Sequence, residues 1–222
     1  MMNTKEIYGF LKDIARHNDR EWFAANKERY QWVKAQVDEL TRELIARVAV
    51  VDPRAAMLSV ADCTYRIYRD TRFSQDKTPY KTHIGIFVNP PFGKKGDTAG
   101  YYLHIEPGNT GFYVGSYCLP AELLKELRNE IYANIDEYLE IVEDPAFRAL
   151  YHEIGDDPLK TAPKGFPKDW PYIDYLKPRH FGVYAKLSDD FLDNGLDVLM
   201  PYIEQGARYN RFCNYTLDPS EC

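Results

Sequence analysis

The chain has few cysteines, no long apolar run and no excess of basic residues. Its 222 residues include only four cysteines, Cys63, Cys118, Cys213 and Cys222, and no two lie at Cys-x-x-Cys spacing. This spacing predicts neither a zinc knuckle nor a redox pair, and in a reducing compartment all four are expected to be free thiols. No stretch approaches the roughly 18 apolar residues that span a bilayer. The N-terminal residues also lack the apolar core of a secretion signal, so the sequence predicts a cytoplasmic protein with no membrane partner.

The short motifs that identify common catalytic sites are also missing. The sequence has no nucleophile elbow, phosphate-binding loop, dinucleotide fingerprint or His-Glu-x-x-His motif. Ser116 and Cys118 fall at strand positions expected to face the core, so serine or cysteine hydrolase chemistry has no positive support. Neither a cofactor nor a reaction can be assigned from motifs.

Charge is distributed unevenly along the chain. The net charge of −6 argues against duplex nucleic acid as a partner, because binding to a duplex requires a basic surface. Residues 66–95 nevertheless carry +5 and leave −11 for the rest. The basic residues of this window are Arg66, Arg69, Arg72, Lys77, Lys81, Lys94 and Lys95. Such side chains suit phosphate or carboxylate ligands; alternatively, they form ion pairs with Asp70, Asp76 and the acidic helices.

Hydrophobic periodicity predicts helices at both ends of the chain. A first helix is expected over residues 4–17, and Asn18, with Glu21 completing a capping box, is expected to begin a long amphipathic helix that ends at Asp52. Further helices are expected after Pro120, where the apolar pattern runs to Leu139, after Asp144, and over residues 188–209. Chain length and an ordinary globular composition predict one domain over residues 1–222.

The middle of the chain has the pattern of short β-strands. Runs at residues 64–68, 82–89, 100–106 and 111–118 are separated by turn residues. The last three runs predict an antiparallel meander whose apolar face is covered by the helices from both ends. The predicted fold class is therefore α+β.

Strand parity assigns each residue of this meander to one face. The core face is predicted to contain Ile84, Ile86, Val88, Tyr101, Leu103, Ile105, Phe112 and Val114. The opposite face is predicted to contain His83, Gly85, Phe87, Tyr102, His104, Glu106, Tyr113, Gly115 and Tyr117. This second face lacks the lysines, glutamates and threonines of a solvated strand, and its glycines predict an open floor for a ligand or a packed helix.

The candidate site lies on that polar face. His83, His104 and Glu106 are expected to converge, with His104 as the acid/base group and Glu106 as its orienting or second titrating partner. The predicted ligand-binding residues are Arg66, Arg69, Arg72, Lys77, Lys81, Tyr102, Tyr113 and Lys164. Alternatively, the two histidines and the carboxylate form a metal site, but no metal is assigned because this depends on an assumed strand register.

An irregular segment at residues 155–179 is rich in proline and lysine. Long irregular connections are often lids or binding loops, so residues 163–168, including Lys164, are predicted to approach the polar face. The alternative is a clamp packed over the sheet by Trp170, Tyr172 and Tyr175.

Several segments together resemble one known family. They are Asn18-Asp19-Arg20-Glu21-Trp22-Phe23, Asn26-Lys27-Glu28-Arg29-Tyr30, the run from Arg66 to His83, the run from Gly100 to Gly108, and Pro163-Lys164-Gly165-Phe166. The chain is therefore identified as resembling a family of conserved bacterial and fungal proteins, the domain of unknown function 2461. The resemblance implies a single fold over most of the chain and no particular activity.

Two functions follow as hypotheses. The first is an enzyme or enzyme-like protein acting on a phosphate- or carboxylate-bearing small molecule. The second is a non-catalytic module in which Tyr102, Tyr113 and Tyr117 receive a peptide, a nucleic-acid end or a partner protein by stacking. A deep pocket favours the first, and an open groove along the sheet edge favours the second.

Overall fold

The computed structural model describes residues 4–218, so Cys222 lies outside the described residues. The helices are α1 (Thr4–Arg16), α2 (Arg20–Ala25), α3 (Lys27–Val51), α4 (Val60–Cys63), α5 (Ala121–Ala133), α6 (Ile135–Val142), α7 (Pro145–Leu150) and α8 (Met200–Leu217). The strands are β1 (Ile84–Val88), β2 (Gly100–Ile105), β3 (Gly111–Ser116), β4 (Glu153–Asp156) and β5 (His180–Lys186). Within the described chain, none of the helices combines the length and apolarity that crossing a bilayer requires.

The five strands form one antiparallel sheet in the order β1-β2-β3-β5-β4, which confirms both the predicted meander and the α+β class. The predicted core positions on β2 and β3 are buried, as are Ile86 and Val88 of β1, whereas Ile84 is half-buried. Strands β4 and β5 were not predicted. They pair antiparallel, with Ile154 opposite Val183 and an irregularity before Asp156, where Gly155 has a φ of +70°.

The N-terminal helices differ from the prediction at two points. Asp19, not Asn18, caps α2, because the Asp19 carboxylate accepts a hydrogen bond from the Trp22 N–H at 2.8 Å. The helical run to Asp52 is also interrupted at Asn26, whose φ of −105° and ψ of 18° separate α2 from α3. Two adjacent residues with good capping side chains compete at this helix start, and Asn18 has a different, long-range role.

Three other predicted elements have different bounds. Residues 64–68 form no strand, but only isolated bridges from Thr64 to Ile86 and from Tyr68 to Tyr80. The helix after Pro120 breaks at Asn134, which has non-helical dihedral angles. The last helix begins at Met200 rather than near residue 188, because 3-10 turns on either side of Gly195, at a φ of +72°, occupy the preceding residues. The predicted short helix after Asp144 is confirmed as α7.

The chain divides into two compact units. The first comprises the residues up to Lys94 together with Tyr102–Gly111 and Lys186–Met200, and the second comprises Lys95–Tyr101, Phe112–Ala185 and the residues from Pro201 onward. In the first, α3 contacts both α1 and β1. In the second, Gly206 of α8 lies so close to β3 that a Cβ there would be 2.6 Å from Val114 Cγ1. The single domain over residues 1–222 stays a prediction.

Candidate functional site

Three side chains of the first unit form the His-Glu cluster: His83, His104 and Glu106. His83 precedes β1, His104 lies on β2 and Glu106 follows β2 directly, so strand alternation points the latter two to the same face. One ligand atom from each residue can be chosen so that all three lie within 4.8 Å of one another. The rings of His83 and His104 have centroids 4.7 Å apart. The structure thus brings together the three residues that parity selected, and their catalytic roles stay predictions.

His104 is held at both of its ring nitrogens. Its Nδ1 lies 3.2 Å from the Tyr102 hydroxyl, and its Nε2 lies 3.1 Å from Glu106 Oε2. Both contacts are satisfied when the Tyr102 hydroxyl donates to Nδ1 and the Nε2–H donates to the carboxylate. His104 is therefore oriented firmly, but neither nitrogen faces an outside group without giving up a contact.

Glu106 is positioned by groups from the adjoining turn and from the residues that precede β1. Asn109 Nδ2 donates to Glu106 Oε2 at 2.8 Å, and the Thr82 hydroxyl donates to Oε1 at 3.3 Å. Burial acts to raise the pKa of Glu106, but the hydrogen bonds from Asn109 and His104 outweigh it and lower the pKa. The cluster therefore holds a carboxylate anion in a fixed orientation.

His83 differs from His104 in its hydrogen bonding. Its half-buried ring makes no hydrogen bond to any of residues 4–218. Burial is the main cause that lowers the pKa of His83, with His104, Lys81 and Arg69 adding to it and Glu106 opposing it. The neutral imidazole is thus favoured, and its nitrogens remain available to a ligand.

A hairpin-like excursion at residues 66–81, here called the basic hairpin, leads into β1. Its ends are joined by backbone hydrogen bonds from Lys81 N–H to Ile67 C=O at 2.8 Å and from Arg69 N–H to Pro79 C=O at 2.9 Å. Asn18 bonds to both backbone polar groups of Tyr80, donating to its carbonyl at 2.9 Å and accepting from its N–H at 3.0 Å. The Asn18 amide thus pairs with the Tyr80 backbone as a neighbouring strand would, and it fixes the base of the hairpin.

A cleft of about 520 Å³, here called the basic cleft, lies in the first unit beside this base. Its walls are formed by α3, the segment 60–68 and the start of β1. Its charged lining residues are Lys34, Asp38, Arg66, Lys81 and Lys94, together with the ionisable His83. Since Asp38 forms an ion pair with Lys34 at 2.5 Å, the other three cations give the cleft a net positive charge.

Tyr65 stands between two of these cations. The ammonium groups of Lys81 and Lys94 lie 5.1 Å and 5.9 Å from its ring centroid, within cation–π range. Lys94 also donates to the backbone carbonyls of Thr64, at 2.7 Å, and Ala61. Among residues 4–218, neither Arg66 nor Lys81 has a carboxylate within ion-pair distance. Burial and the nearby Arg66 charge lower the pKa of Lys81, so an anion in the cleft would relieve both effects.

The other predicted cations are engaged outside the cleft lining. Arg69 contacts Asp76 and Thr78, and Arg72 pairs with Asp70 at 2.6 Å. Lys77 is exposed and donates to the Thr71 carbonyl at 2.8 Å. The ion-pair alternative therefore describes Arg69 and Arg72, whereas the anion-binding prediction suits Arg66 and Lys81.

Two predicted ligand-binding residues belong to the second unit. The Tyr113 ring lies on Tyr184, with centroids 4.5 Å apart. Lys164 lies in the irregular segment, where the neighbouring Phe166 and Trp170 pack on Tyr132 of α5. The approach of Lys164 to the polar face stays a prediction.

Two details of the predicted face are wrong. The glycines do not leave an open floor: a Cβ at Gly85 would lie 2.8 Å from Cε2 of Tyr102, and Gly115, at a φ of +107°, meets the Phe181 carbonyl. Cys118 is exposed rather than core-facing, since its φ of +56° turns the chain out of the strand. Ser116 is buried, as predicted.

Sequence reasoning missed four residues near the site: Tyr65, Lys94, Asn109 and Thr82. Asn109 had a local signal, because it lies three residues after Glu106 across a tight turn, where an amide can reach back to the carboxylate. Lys94 was counted in the basic window but not assigned to the site. Tyr65 had no signal, since its place in the cleft depends on how the segment packs against α3.

The sequence profile described as "Conserved hypothetical protein (DUF2461)" matches residues 6–212. No curated protein and no solved structure matches the chain. The match covers nearly the whole chain and confirms the resemblance that its segments indicated.

Proposed function

The chain belongs to the conserved hypothetical protein family DUF2461, and we propose that it binds a phosphate- or carboxylate-bearing small molecule in the basic cleft and acts on it at the His-Glu cluster. The observation that carries the proposal is the pair Arg66 and Lys81, which line the cleft without a carboxylate partner among residues 4–218. Lys81 is half-buried, and a partly buried cation without a partner costs free energy that an anionic ligand recovers; the exposed Arg66 adds a second donor at the same cleft.

The geometry supports a ligand of modest size. The cleft volume of about 520 Å³ suits a small metabolite. Arg66 offers the forked donors that suit two anionic oxygens, while Lys81 offers a point charge. His83 lines the same cleft and contacts His104 through its ring. An anion held by Arg66 and Lys81 would therefore lie next to the cluster.

Within the cluster, His83 is better placed than His104 to meet the ligand. Both nitrogens of His104 are engaged by Tyr102 and Glu106, whereas His83 makes no hydrogen bond within residues 4–218. We therefore propose that His83 contacts the ligand directly and that Glu106 fixes His104 behind it. The predicted roles of His104 as the acid/base group and Glu106 as its partner become supporting roles in this arrangement.

The test of binding is isothermal titration calorimetry with two probes, inorganic phosphate and succinate. We expect Lys81→Gln to weaken binding of the preferred probe by about tenfold or more, because a hydrogen bond to a charged group contributes about 1.5–3 kcal/mol. The matched control is Lys77→Gln, which removes an exposed cation outside the cleft lining. Equal loss in the two variants, or no binding of either probe to the wild-type chain, would exclude the cleft as the site.

The alternative is a binding module without turnover, and the two exposed tyrosines of the cleft wall favour it. Tyr65 and Tyr68 are 44% and 50% exposed and could stack on a planar ligand. Phosphorus NMR of a panel of phosphorylated metabolites incubated with the protein separates the two functions. A new phosphorus signal that the Lys81→Gln variant does not produce supports an enzyme, and binding without conversion supports the module.

A further inference from the structure

We infer that His83, His104 and Glu106 bind one divalent transition-metal ion, each through a single ligand atom. This goes beyond the proposed anion binding and does not require it. In a complex with ligand bonds of about 2.0–2.2 Å, ligand atoms lie roughly 3–4.4 Å apart. The cluster already holds its candidate atoms within 4.8 Å of one another, so small side-chain rotations suffice.

Two observations distinguish this cluster from a structural polar network. The first is that the half-buried His83 ring has no hydrogen-bond partner among residues 4–218, although buried polar groups are normally satisfied. The second is that the other two residues are already oriented from behind. Tyr102 holds His104 at Nδ1, and Asn109 and Thr82 hold the Glu106 carboxylate. Metal ligands characteristically have such outer hydrogen bonds, which fix the tautomer and the ring orientation.

The proton arrangement needed for metal binding is accessible without net protonation or deprotonation of His104. Its neutral ring can carry the proton on either nitrogen. With the proton on Nδ1, the ring donates to the Tyr102 oxygen, and the Nε2 lone pair that faced Glu106 becomes a ligand. Glu106 then turns its Oε2 from His104 to the ion, while Asn109 and Thr82 still hold the carboxylate. One contact, between His104 and Glu106, is exchanged for two metal bonds.

The ligand set indicates the kind of ion and its use. Two imidazoles and one carboxylate suit Zn²⁺, Fe²⁺, Co²⁺ or Mn²⁺ better than Ca²⁺ or Mg²⁺, which prefer oxygen ligands. Three protein ligands leave coordination positions open, as in catalytic rather than structural sites. Because His83 also lines the basic cleft, an anionic oxygen held by Arg66 and Lys81 would be near an open position. The ion would then polarise that group or activate a water beside it.

The experiment titrates the metal-stripped chain of 222 residues with Zn²⁺ by calorimetry and with Co²⁺ by visible absorption. We expect one equivalent to bind, with Co²⁺ bands that differ from those of the aqueous ion. His83→Gln, His104→Gln and Glu106→Gln should each weaken binding by at least about 100-fold, and Tyr102→Phe by about tenfold, which is the range for an outer-shell partner. The control is His152→Gln, which removes an exposed histidine outside the cluster and should leave affinity unchanged.

Circular dichroism of each variant shows whether it folds, and the wild-type Co²⁺ spectrum remains decisive if a cluster variant does not. The inference is overturned if the wild-type chain binds neither ion stoichiometrically, if bound Co²⁺ keeps the spectrum of the aqueous ion, or if folded His83→Gln binds as tightly as His152→Gln. Lys81→Gln should weaken binding of the preferred anionic probe but leave the affinity for Zn²⁺ unchanged. Zn²⁺ binding without binding of phosphate or succinate rejects only the proposed function, and binding of either anion without Zn²⁺ binding rejects only the metal site.

Discussion

The base and the tip of the basic hairpin carry cations of the same kind in different surroundings. At the tip, residues 69–78, Arg69 and Arg72 contact Asp76 and Asp70 of the same short loop. At the base, Arg66 and Lys81 have no such partner within residues 4–218 and line the cleft. A run of positive charge therefore does not by itself locate a ligand. Cations that lie beside an aspartate in a turn form ion pairs within that turn. The cations at the base of the hairpin have no carboxylate within ion-pair distance among the described residues and can bind a ligand instead.

The largest effect should come from removing the aromatic support of the base. Phe23 is 6% exposed and stacks on Tyr80 with ring centroids 4.1 Å apart. Because a buried phenylalanine is lost and a cavity is left, Phe23→Ala should lower the free energy of unfolding by about 3 kcal/mol or more. Urea denaturation measures this. Phe73→Ala, at the 96% exposed ring of the tip, should change stability by less than about 0.5 kcal/mol. Similar losses of stability in Phe23→Ala and Phe73→Ala would contradict the difference between base and tip.

The second effect concerns the polar attachment of the base. Asn18→Ala removes both hydrogen bonds to the Tyr80 backbone and should destabilise the protein by about 2 kcal/mol, since two peptide groups lose their partner. Asn134→Ala is the control, because its side chain is exposed and bonds only Glu130 among the described contacts. If the two variants unfold at the same urea concentration, the side chain of Asn18 does not fix the hairpin.

A smaller effect is expected on ligand affinity. Tyr65→Leu removes the ring on which Lys81 and Lys94 rest, so these cations become less ordered and phosphate affinity should fall about threefold, within the range of a cation–π contact. Phe73→Leu removes the corresponding ring at the tip, 5.8 Å from the Arg72 guanidinium carbon, and should leave affinity unchanged. If a calorimetric titration shows that Tyr65→Leu binds phosphate as tightly as the wild type, the Tyr65 ring does not contribute to phosphate binding in the cleft.

The smallest effect is a titration at the tip. Hydrogen bonds from the Thr78 backbone and the Arg69 guanidinium lower the pKa of Asp76 from 3.8 to about 2. Since the pKa is lowered in the folded state, the stabilisation is present above pH 3.8 and is lost as the pH falls towards 2. Carbon-detected NMR should show this pKa in the wild type and a higher one in Arg69→Gln. An unchanged value would show that Arg69 is not engaged by Asp76.

Sequence periodicity is sufficient to predict the three strands of the meander and the face of the sheet to which His104, Glu106, Leu103 and Ile105 point. Alternation alone directed His104 and Glu106 outward and Leu103 and Ile105 inward, because a strand has little freedom in side-chain direction. It failed for β5, where Phe181, Val183 and Ala185 do alternate with half-buried residues. That run follows a proline-rich stretch and includes Gly182, so its strand identity depends on neighbours that are distant in sequence.

The candidate site was only partly predictable for the same reason. The composition of residues 66–95 indicated an anion-binding segment, but the distinction between Arg66 and Arg69 depends on which side chain can reach an aspartate after the loop closes. The position of Asn18 at a helix start favours a role as a helix cap. Its actual partner is the backbone of Tyr80, 62 positions away. Long-range pairings of this kind have no periodicity that a single sequence can display.

Gly85 sets a limit on how the cluster can change. Any side chain at this position would occupy space now taken by the phenol ring of Tyr102, and that phenol bonds the ring nitrogen of His104 opposite the one facing Glu106. A single methyl group at position 85 would therefore displace the Tyr102 phenol. His104 would lose its hydrogen bond at Nδ1, and its contact with Glu106 would change in turn. Gly85 therefore keeps free the space that Tyr102 needs. Even Gly85→Ala, the most conservative substitution in β1, would change the hydrogen bonding of His104 and Glu106, which it does not itself contact.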